Sequence, residues 1–228
     1  MWIDASNTSI VSGKTYGMID RVDTSHWFMQ TATGTQAPPP AADAGIGGAL
    51  AVTFAAGSWY DSTRASAAWR RYTDGTGSEV TTVMTPTDMQ TGTIVGTSDL
   101  ATVASVAYYS FLTGGGAFAV GVYNGSTVSR QQTTGSYAPN VPTYFTDAWL
   151  SPTAEHFQKE TPLTGSSTAV TPSTANPNYT FRLGAGMPTG GYRLFARWRA
   201  SYFFHRRLTT AERAVRRAFI QADTLIAA

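Results

Sequence analysis

The chain contains no cysteine, so neither a disulfide framework nor a zinc site with thiolate ligands is available to it. Charged residues are scarce, at 13% of the sequence, and no apolar run approaches the roughly 18 residues that a membrane-spanning helix needs. The first residues, MWIDASNTSIVSGK, have neither the basic region nor the apolar core of a signal peptide. These absences predict a soluble protein that carries no export signal and has no membrane partner.

What the sequence does contain is typical of a β-rich globular fold. Hydrophobic residues make up 42% and aromatic residues 12% of the 228 positions, which is enough for a substantial core. The run Pro38-Pro39-Pro40 lacks amide donors and must be a surface connection. It could connect strands of one domain or link two domains. The residues before it are too few for an independent core. We therefore predict a single domain over residues 1–228.

Short strands are predicted along most of the chain, because apolar and polar residues alternate between turn signals. Segments 48–54 and 118–123 are the clearest examples. The pair Asn124-Gly125 accepts the positive φ angles of a type I′ turn, which indicates a hairpin. Segment 62–72 is rich in alanine and arginine and predicts a short helix, with Ser62 or Thr63 as its N-cap.

A longer helix is predicted near residues 210–226. Thr209 and Glu212 form a T-x-x-E capping box at its start. Apolar residues recur at helical spacing and are expected to pack on the sandwich; they are Leu208, Ala211, Val215, Ala218, Phe219, Ala222, Leu225 and Ile226. Arg213, Arg216, Arg217 and Gln221 are then expected on the opposite, outward side.

The charge is distributed unevenly. Residues 182–228 contain nine arginines and two acidic residues, a net charge of +7, which leaves −5 for the rest of a chain whose net charge is +2. Such asymmetry predicts docking between copies or onto an acidic partner, with a solvated arginine face as the alternative. The predicted docking residues are Arg206, Arg207, Arg213, Arg216 and Arg217.

No catalytic pattern is present. Glycoside hydrolysis on a β-sandwich needs two carboxyl groups about 5–5.5 Å apart, and the four glutamates show no E-x-D-x-E arrangement. The three histidines, His26, His156 and His205, are isolated, and neither a G-x-S-x-G elbow nor a phosphate loop occurs. The sequence therefore predicts no enzymatic activity. Nor does a nucleic-acid recognition motif accompany the basic helix.

Aromatic side chains are the remaining candidates for ligand contact, because sugar rings stack on exposed aromatic faces. The predicted glycan-binding residues are Trp59, Tyr60, Tyr108, Tyr109, Tyr123 and Trp149. The alternative for each of them is a place in the core, which large aromatic rings fill efficiently. Four further aromatic residues are expected in the core or between the sheets: Trp198, Tyr202, Phe203 and Phe204.

Both ends of the chain carry motifs in a recognisable order. Near the start are W-x-D-A-S at residues 2–6, Asp20, the proline run and V-x-F at residues 52–54. Near the end are RLGA at residues 182–185, Gly190-Gly191, an aromatic strand and L-T-T-A-E at residues 208–212. In this order they resemble concanavalin A-like, laminin-G-like modules of the kind found in phage structural proteins. The resemblance implies an all-β jelly-roll sandwich of two antiparallel sheets.

The resemblance also implies a function. It predicts a virion component, such as a capsid decoration, head-spike or tail-associated subunit, made in the host cytoplasm and bound to capsid or tail proteins and to copies of itself. The alternative is a carbohydrate-binding module for host or environmental glycans. No cofactor is predicted, although Asp20 with Asp23, or Asp61, could hold a structural calcium ion. The acidic turn frequent after the V-x-F strand is replaced here by Ala-Ala-Gly-Ser-Trp59, which weakens that expectation.

Overall fold

The computed structural model describes residues 1–30, 36–55, 58–97, 106–126, 128–133, 137–151, 153–163, 165–166, 171–186, 192–224 and 226. In chain order the strands are β1 (Trp2–Asp4), β2 (Thr8–Val11), β3 (Lys14–Ile19), β4 (Trp27–Met29), β5 (Ala41–Ala42), β6 (Leu50–Phe54), β7 (Tyr60–Ser62), β8 (Ser78–Pro86), β9 (Gly92–Gly96), β10 (Val106–Leu112), β11 (Phe118–Asn124), β12 (Val128–Thr133), β13 (Thr143–Leu150), β14 (Thr153–Gln158), β15 (Thr161–Pro162), β16 (Gly165–Ser166), β17 (Arg182–Leu183) and β18 (Ala196–Phe204). The helices are two 3-10 segments, Ala44–Ile46 and Ser66–Tyr72, and α1 (Thr210–Thr224).

The strands form two antiparallel sheets. The eight-stranded sheet has the order β15-β14-β13-β8-β18-β6-β5, with β1 also paired to β18. The ten-stranded sheet has the order β16-β12-β11-β10-β9-β17-β7-β4-β3-β2. Neighbours in space are often distant in sequence, as where β17 joins β9 to β7. This arrangement confirms the predicted all-β fold of two antiparallel sheets with a C-terminal helix.

The main core lies between the two sheets and is rich in aromatic rings. Alternation along each strand sends every second side chain inward, so Tyr108 of β10 and Trp198 of β18 both belong to it. Phe181 contacts Trp69, Tyr72 and Phe203, with ring centroids 4.4–5.7 Å apart. The core placement predicted for Trp198 and Phe203 is thereby confirmed.

The helix α1 covers the outer face of the eight-stranded sheet. A second apolar cluster joins Ile220 of the helix and Ile226 beyond it to Val83, Tyr144, Ala200 and Tyr202 of the strands. The predicted capping box is present: Glu212 N donates to Thr209 Oγ1 over 3.3 Å, and Thr209 N donates to Glu212 Oε2 over 2.9 Å. Within the described part of the chain, no helix has both the length and the apolar composition that crossing a membrane requires.

The predicted orientation of the C-terminal helix is wrong for the residues within it, although Leu208 and Ile226 beside it are buried as predicted. The buried side of α1 carries Arg216, Ile220 and Thr224, with Arg213 close beside them. Val215 and Phe219, expected to pack inward, are 72% and 43% exposed, and Ala211, Ala218 and Ala222 are exposed as well. Leu225 lies outside the described residues. The physical reason is an acidic side chain on the sheet, Glu79, which binds the arginines.

Two smaller predictions are corrected in detail. The helix expected at residues 62–72 begins at Ser66 and is a 3-10 helix. Its N-cap is Ala65, which has no polar side chain, whereas Ser62 belongs to β7. The hairpin between β11 and β12 is confirmed, but its turn is not of type I′. Gly125 has a φ of +92°, whereas Asn124 does not have a positive φ and its side chain accepts hydrogen bonds from Ser126.

Candidate functional site

Five of the six aromatic residues predicted to contact glycan are buried. Tyr60 is 0%, Tyr108 1%, Tyr109 2%, Tyr123 2% and Trp149 2% exposed. Tyr60 is held by two backbone groups: its hydroxyl donates to Thr15 O and accepts from Ala37 N, and burial raises its pKa to about 12. A sugar cannot stack on a ring that has no exposed face, so the prediction is wrong for these five.

Two of these residues lie on the outer side of the ten-stranded sheet and are buried nevertheless. Tyr109 and Tyr123 form a separate cluster with Ala107, Phe111 and Ala119, and their hydroxyl oxygens are 3.2 Å apart. The Tyr109 ring lies directly over Gly121, where a Cβ atom would collide with it. Tight packing of this kind serves the fold rather than a ligand.

Trp59 is the sixth candidate, and it is partly exposed. It immediately precedes β7, in which Tyr60 points into the core, so the alternating neighbour Asp61 lies on the outer side of the sheet. Two guanidinium groups approach the indole: Arg182 Cζ lies 5.0 Å and Arg193 Cζ 6.0 Å from the ring centroid. Both distances are within the range of cation–π attraction.

Arg182 fixes this arrangement from the adjacent strand. It is the register partner of Asp61 across β17 and β7. Its Nε and Nη2 atoms donate to the two carboxylate oxygens of Asp61 over 2.5 and 2.9 Å, which is a bidentate ion pair. The Arg182 side chain is only 8% exposed, so burial and the ion pair hold its guanidinium in place beside Trp59.

The residues Tyr192 and Arg193 form the exposed side of the same region. Tyr192 has a φ of +49°, a left-handed conformation that is strained for an aromatic residue, and its side chain is 43% exposed. Strain of this kind often accompanies a ligand contact. A 2.6 Å hydrogen bond from Thr93 N to Tyr192 O holds the backbone at Tyr192. The next residue, Arg193, lies beside Trp59.

We call this group the Trp59 site; it comprises Trp59, Asp61, Arg182, Tyr192 and Arg193. A partly exposed indole beside an exposed arginine can contact the C–H groups of a sugar ring and attract an anionic group on that sugar. Sequence analysis identified Trp59 alone. The sequence marked one partner of Trp59, Arg182, only as a charged residue within the RLGA motif. Its pairing with Asp61 could not be predicted, because the two residues are 121 positions apart in the chain.

The arginines predicted to form an outward docking face are mostly engaged with the body of the protein. Arg213 and Arg216 bind Glu79, Arg216 also binds Glu160, and Arg207 binds Glu155. Their side chains are 11%, 4% and 32% exposed, in the order Arg213, Arg216 and Arg207. The acidic partner that the charge asymmetry indicates is therefore the same chain.

Two of the docking candidates remain accessible. Arg206, whose side chain is 59% exposed, forms an ion pair with Glu212 of the capping box. Arg217 is half-buried and lines a groove of about 360 Å³ with Phe157 and Glu160. Because Arg217 and Arg213 lie on the flank of α1 that meets β14 and β15, they do not share a surface with Arg206.

A carboxylate, a histidine and a phenol meet inside the sandwich. His156 Nδ1 lies 2.7 Å from Asp147 Oδ1, and the hydroxyl of Tyr108 donates to Asp147 Oδ2 over 2.6 Å. Burial raises the pKa of Asp147. The three residues are at most 4% exposed, so a substrate has no access to them. The hydrogen bond from Tyr108 to Asp147 joins the two sheets.

The carboxylates considered for calcium face arginines instead. Asp20 and Asp23 both lie near Arg64, at 3.5 and 3.6 Å, and Asp61 is paired with Arg182. Asp20 also accepts backbone hydrogen bonds from Trp2 and Val22. In the described ranges, no three metal-ligating side chains gather around one point.

No family model and no curated protein sequence matches the chain. Its fold is similar to that of the CBM40 carbohydrate-binding module of the Ruminococcus gnavus IT-sialidase, solved bound to α2,3-sialyllactose: TM-score 0.52, 11% identity, over 64% of this chain and 83% of that one. It is also similar to Trypanosoma rangeli sialidase: TM-score 0.62, 13% identity, over 97% of this chain and 33% of that one. A third similar structure is the NanB sialidase of Streptococcus pneumoniae: TM-score 0.55, 11% identity, over 72% of this chain and 27% of that one.

These similarities support the jelly-roll interpretation of the two sheets. At 11–13% identity they show the fold alone, and they transfer no residue of those proteins to this one. The chain spans a third or less of the two sialidase chains, but most of the carbohydrate-binding module.

Proposed function

We propose that this protein is a non-enzymatic carbohydrate-binding module and that the Trp59 site is its glycan contact. One observation carries the proposal: Trp59 is partly exposed beside a buried arginine and an exposed arginine, on the outer side of a jelly-roll sheet. The similar module from Ruminococcus gnavus was solved with a bound sialylated sugar, which supports glycan binding as the use of such a fold.

The chemistry of the Trp59 site favours a sugar that carries a carboxylate. The exposed part of Trp59 offers apolar surface for the C–H groups of a pyranose ring. Arg193 is exposed, and its guanidinium carries a positive charge that attracts a carboxylate. Arg182 is already paired with Asp61 and supplies rigidity. A neutral sugar would use the indole only, so the acidic sugar should bind more tightly.

The predicted role in a virion is the wider context in which such a module would work. A glycan-binding subunit on a particle could hold the particle at a host surface, and the two predictions are compatible. The structural similarities above do not bear on attachment to a phage particle, so that role stays a prediction from the sequence resemblance. Copurification with capsid or tail proteins would test it.

The test of glycan binding compares variants of the whole chain on a panel of sialylated, uronic-acid and neutral oligosaccharides, with affinities measured by calorimetry. We expect Trp59→Ala to abolish measurable binding and Arg193→Ala to weaken binding of acidic sugars at least about tenfold, which corresponds to about 1.4 kcal/mol. Arg193→Ala should leave binding of neutral sugars nearly unchanged.

The matched control is Trp27→Ala, because Trp27 is also a partly exposed tryptophan of the ten-stranded sheet. It should bind like the unchanged protein. The proposal is overturned if no glycan on the panel binds, or if Trp59→Ala, with an unchanged melting temperature, binds as well as Trp27→Ala does.

A further inference from the structure

The helix α1 exposes an apolar face that the described part of the chain does not cover. Val215 is 72% and Phe219 43% exposed, and the neighbouring alanines on this side are also exposed. The whole face consists of Ala211, Ala214, Val215, Ala218, Phe219 and Ala222. On the opposite side, Arg216 and Ile220 pack on the sheet. The helix thus presents its apolar stripe to solvent and its arginines to the protein.

The exposed face continues into an aromatic groove between the helix and the sheet. The groove has a volume of about 380 Å³ and is lined by Trp2, Tyr202, Phe204, Leu208, Val215 and Phe219. The rings are in contact: the centroids of Trp2 and Phe219 are 5.2 Å apart, and those of Trp2 and Tyr202 are 5.8 Å apart. Helix face and groove form one apolar surface, which an aqueous environment disfavours unless a partner covers it.

The spacing of the exposed residues indicates what kind of partner fits. Positions 211, 215, 218 and 222 are separated by four, three and four residues. This is the spacing with which one helix packs along another. The same spacing is obtained when the sequence is read backwards, so the stripe can pair with an antiparallel copy of itself.

Antiparallel pairing in that register matches large side chains with small ones. Val215 would lie opposite Ala218 of the second copy. Ala211 would lie opposite Ala222. Alternating large and small residues across a helix pair fills space without collision, and alanine allows two helices to approach closely. The stripe is therefore complementary to itself.

The charges at the ends of α1 fit the same arrangement. The last turn of the helix contains no basic residue to offset the partial negative charge of its C-terminus. At the other end, just before the helix, Arg206 is 59% exposed and borders the groove. Antiparallel pairing brings Arg206 of each copy to the C-terminal end of the other helix, where a cation is favourable.

We propose that this surface binds a second copy of the chain, forming a two-fold symmetric dimer with antiparallel α1 helices. A helix of 15 residues is about 22 Å long, so the stripe alone is smaller than the roughly 800 Å² per partner of a standard interface. The aromatic groove adds to it, and the dimer should be reversible at micromolar concentrations. Because α1 lies on the sheet opposite the Trp59 site, dimerisation leaves both glycan contacts exposed.

Sedimentation equilibrium of the whole chain over a concentration series tests the proposal. The unchanged protein should show a monomer–dimer equilibrium, and Val215→Glu should be monomeric throughout, because two carboxylates would face the apolar surface. The matched control is Val11→Glu, since Val11 is 47% exposed in β2, at the edge of the other sheet. A strictly monomeric unchanged protein, or a dimer that Val215→Glu leaves intact, overturns the proposal.

The orientation is tested by disulfide cross-linking, which is unambiguous here because the natural chain has no cysteine. Antiparallel helices place position 215 opposite position 218 of the other copy. The double variant Val215→Cys/Ala218→Cys should therefore form a covalent dimer on mild oxidation, whereas Ala218→Cys alone should not. Efficient cross-linking of the single variant would indicate parallel helices and would overturn the antiparallel arrangement.

Discussion

Arg216 of α1 donates a hydrogen bond to the carboxylate of Glu79, whose side chain is completely buried between the helix and the eight-stranded sheet. Glu79 also accepts from Arg213 and from the backbone N of Leu208. One buried carboxylate thus binds two arginines of α1 and the backbone of Leu208, two residues before the helix begins. This contact decides which side of α1 faces the protein.

Replacing Glu79 by glutamine should destabilise the protein strongly. The substitution keeps the shape of the side chain but removes its negative charge. The buried guanidinium groups of Arg213 and Arg216 then lose the carboxylate that they share. Removing one partner of a buried ion pair typically costs about 3–5 kcal/mol, because the other charge stays desolvated. We expect a loss of this size in the free energy of unfolding, measured with urea and followed by tryptophan fluorescence.

The control for this measurement is Glu155→Gln. Glu155 pairs with Arg207, but its side chain is 40% exposed, so water screens the interaction. Exposed pairs contribute about 1 kcal/mol or less. If Glu79→Gln unfolded at the same urea concentration as Glu155→Gln, the buried contact would not be what holds α1 on the sheet.

The ends of the chain show what sequence reasoning can predict. The capping box of Thr209 and Glu212 is a local pattern, and it forms as predicted. The face that α1 buries depends on a distant residue instead, because Glu79 precedes Arg216 by 137 positions. The rule that apolar residues face inward failed for this reason. Val215 and Phe219 follow the helical spacing of a buried stripe, but they belong to the exposed side.

The Trp59 site shows the same limit. Tyr60 and Tyr108 were predicted as ligand contacts because they are aromatic, but strand alternation places them in the core. Trp59 is the one candidate of the six that stays partly exposed, and its glycan contact stays a prediction. The arginines beside it come from segments more than 120 positions away, and only the register of β17 with β7 brings Arg182 to Asp61. Pairing between distant strands cannot be read from local patterns.

Gly184→Ala is expected to destabilise the protein and disturb the Trp59 site together. Gly184 has a φ of +90°, and a Cβ atom there would overlap the ring of Phe54 and lie 3.0 Å from Ser58 O. The left-handed conformation costs about 1–2 kcal/mol for alanine, and overpacking adds about 1–3 kcal/mol. The matched control is Gly13→Ala, where φ is +72° and no heavy atom lies within 4 Å. Urea unfolding of both should give a clearly larger loss at Gly184, and equal losses would contradict the overlap with Phe54.

The capping box predicts a pH dependence with a definite sign. The hydrogen bond from Arg206, followed by those from the backbone and side chain of Thr209, lowers the pKa of Glu212 from 4.5 to about 2. A lowered pKa means that the stabilising contribution is complete above about pH 4.5 and is lost as the pH falls towards 2. In a carbon-13 titration of the carboxyl group, Glu212 should therefore still be mostly ionised at about pH 3.

Arg206→Gln removes the largest cause of this shift and should raise the pKa of Glu212 towards 4.5. The hydrogen bonds from Thr209 remain in that variant, so the return should be partial. Arg217→Gln is the matched control, because Arg217 lies on the flank of α1 away from the capping box and should leave the titration unchanged. A midpoint near 4.5 in the unchanged protein would show that the ion pair with Arg206 does not persist in solution. Equal shifts in both variants would indicate a general effect of net charge rather than this hydrogen bond.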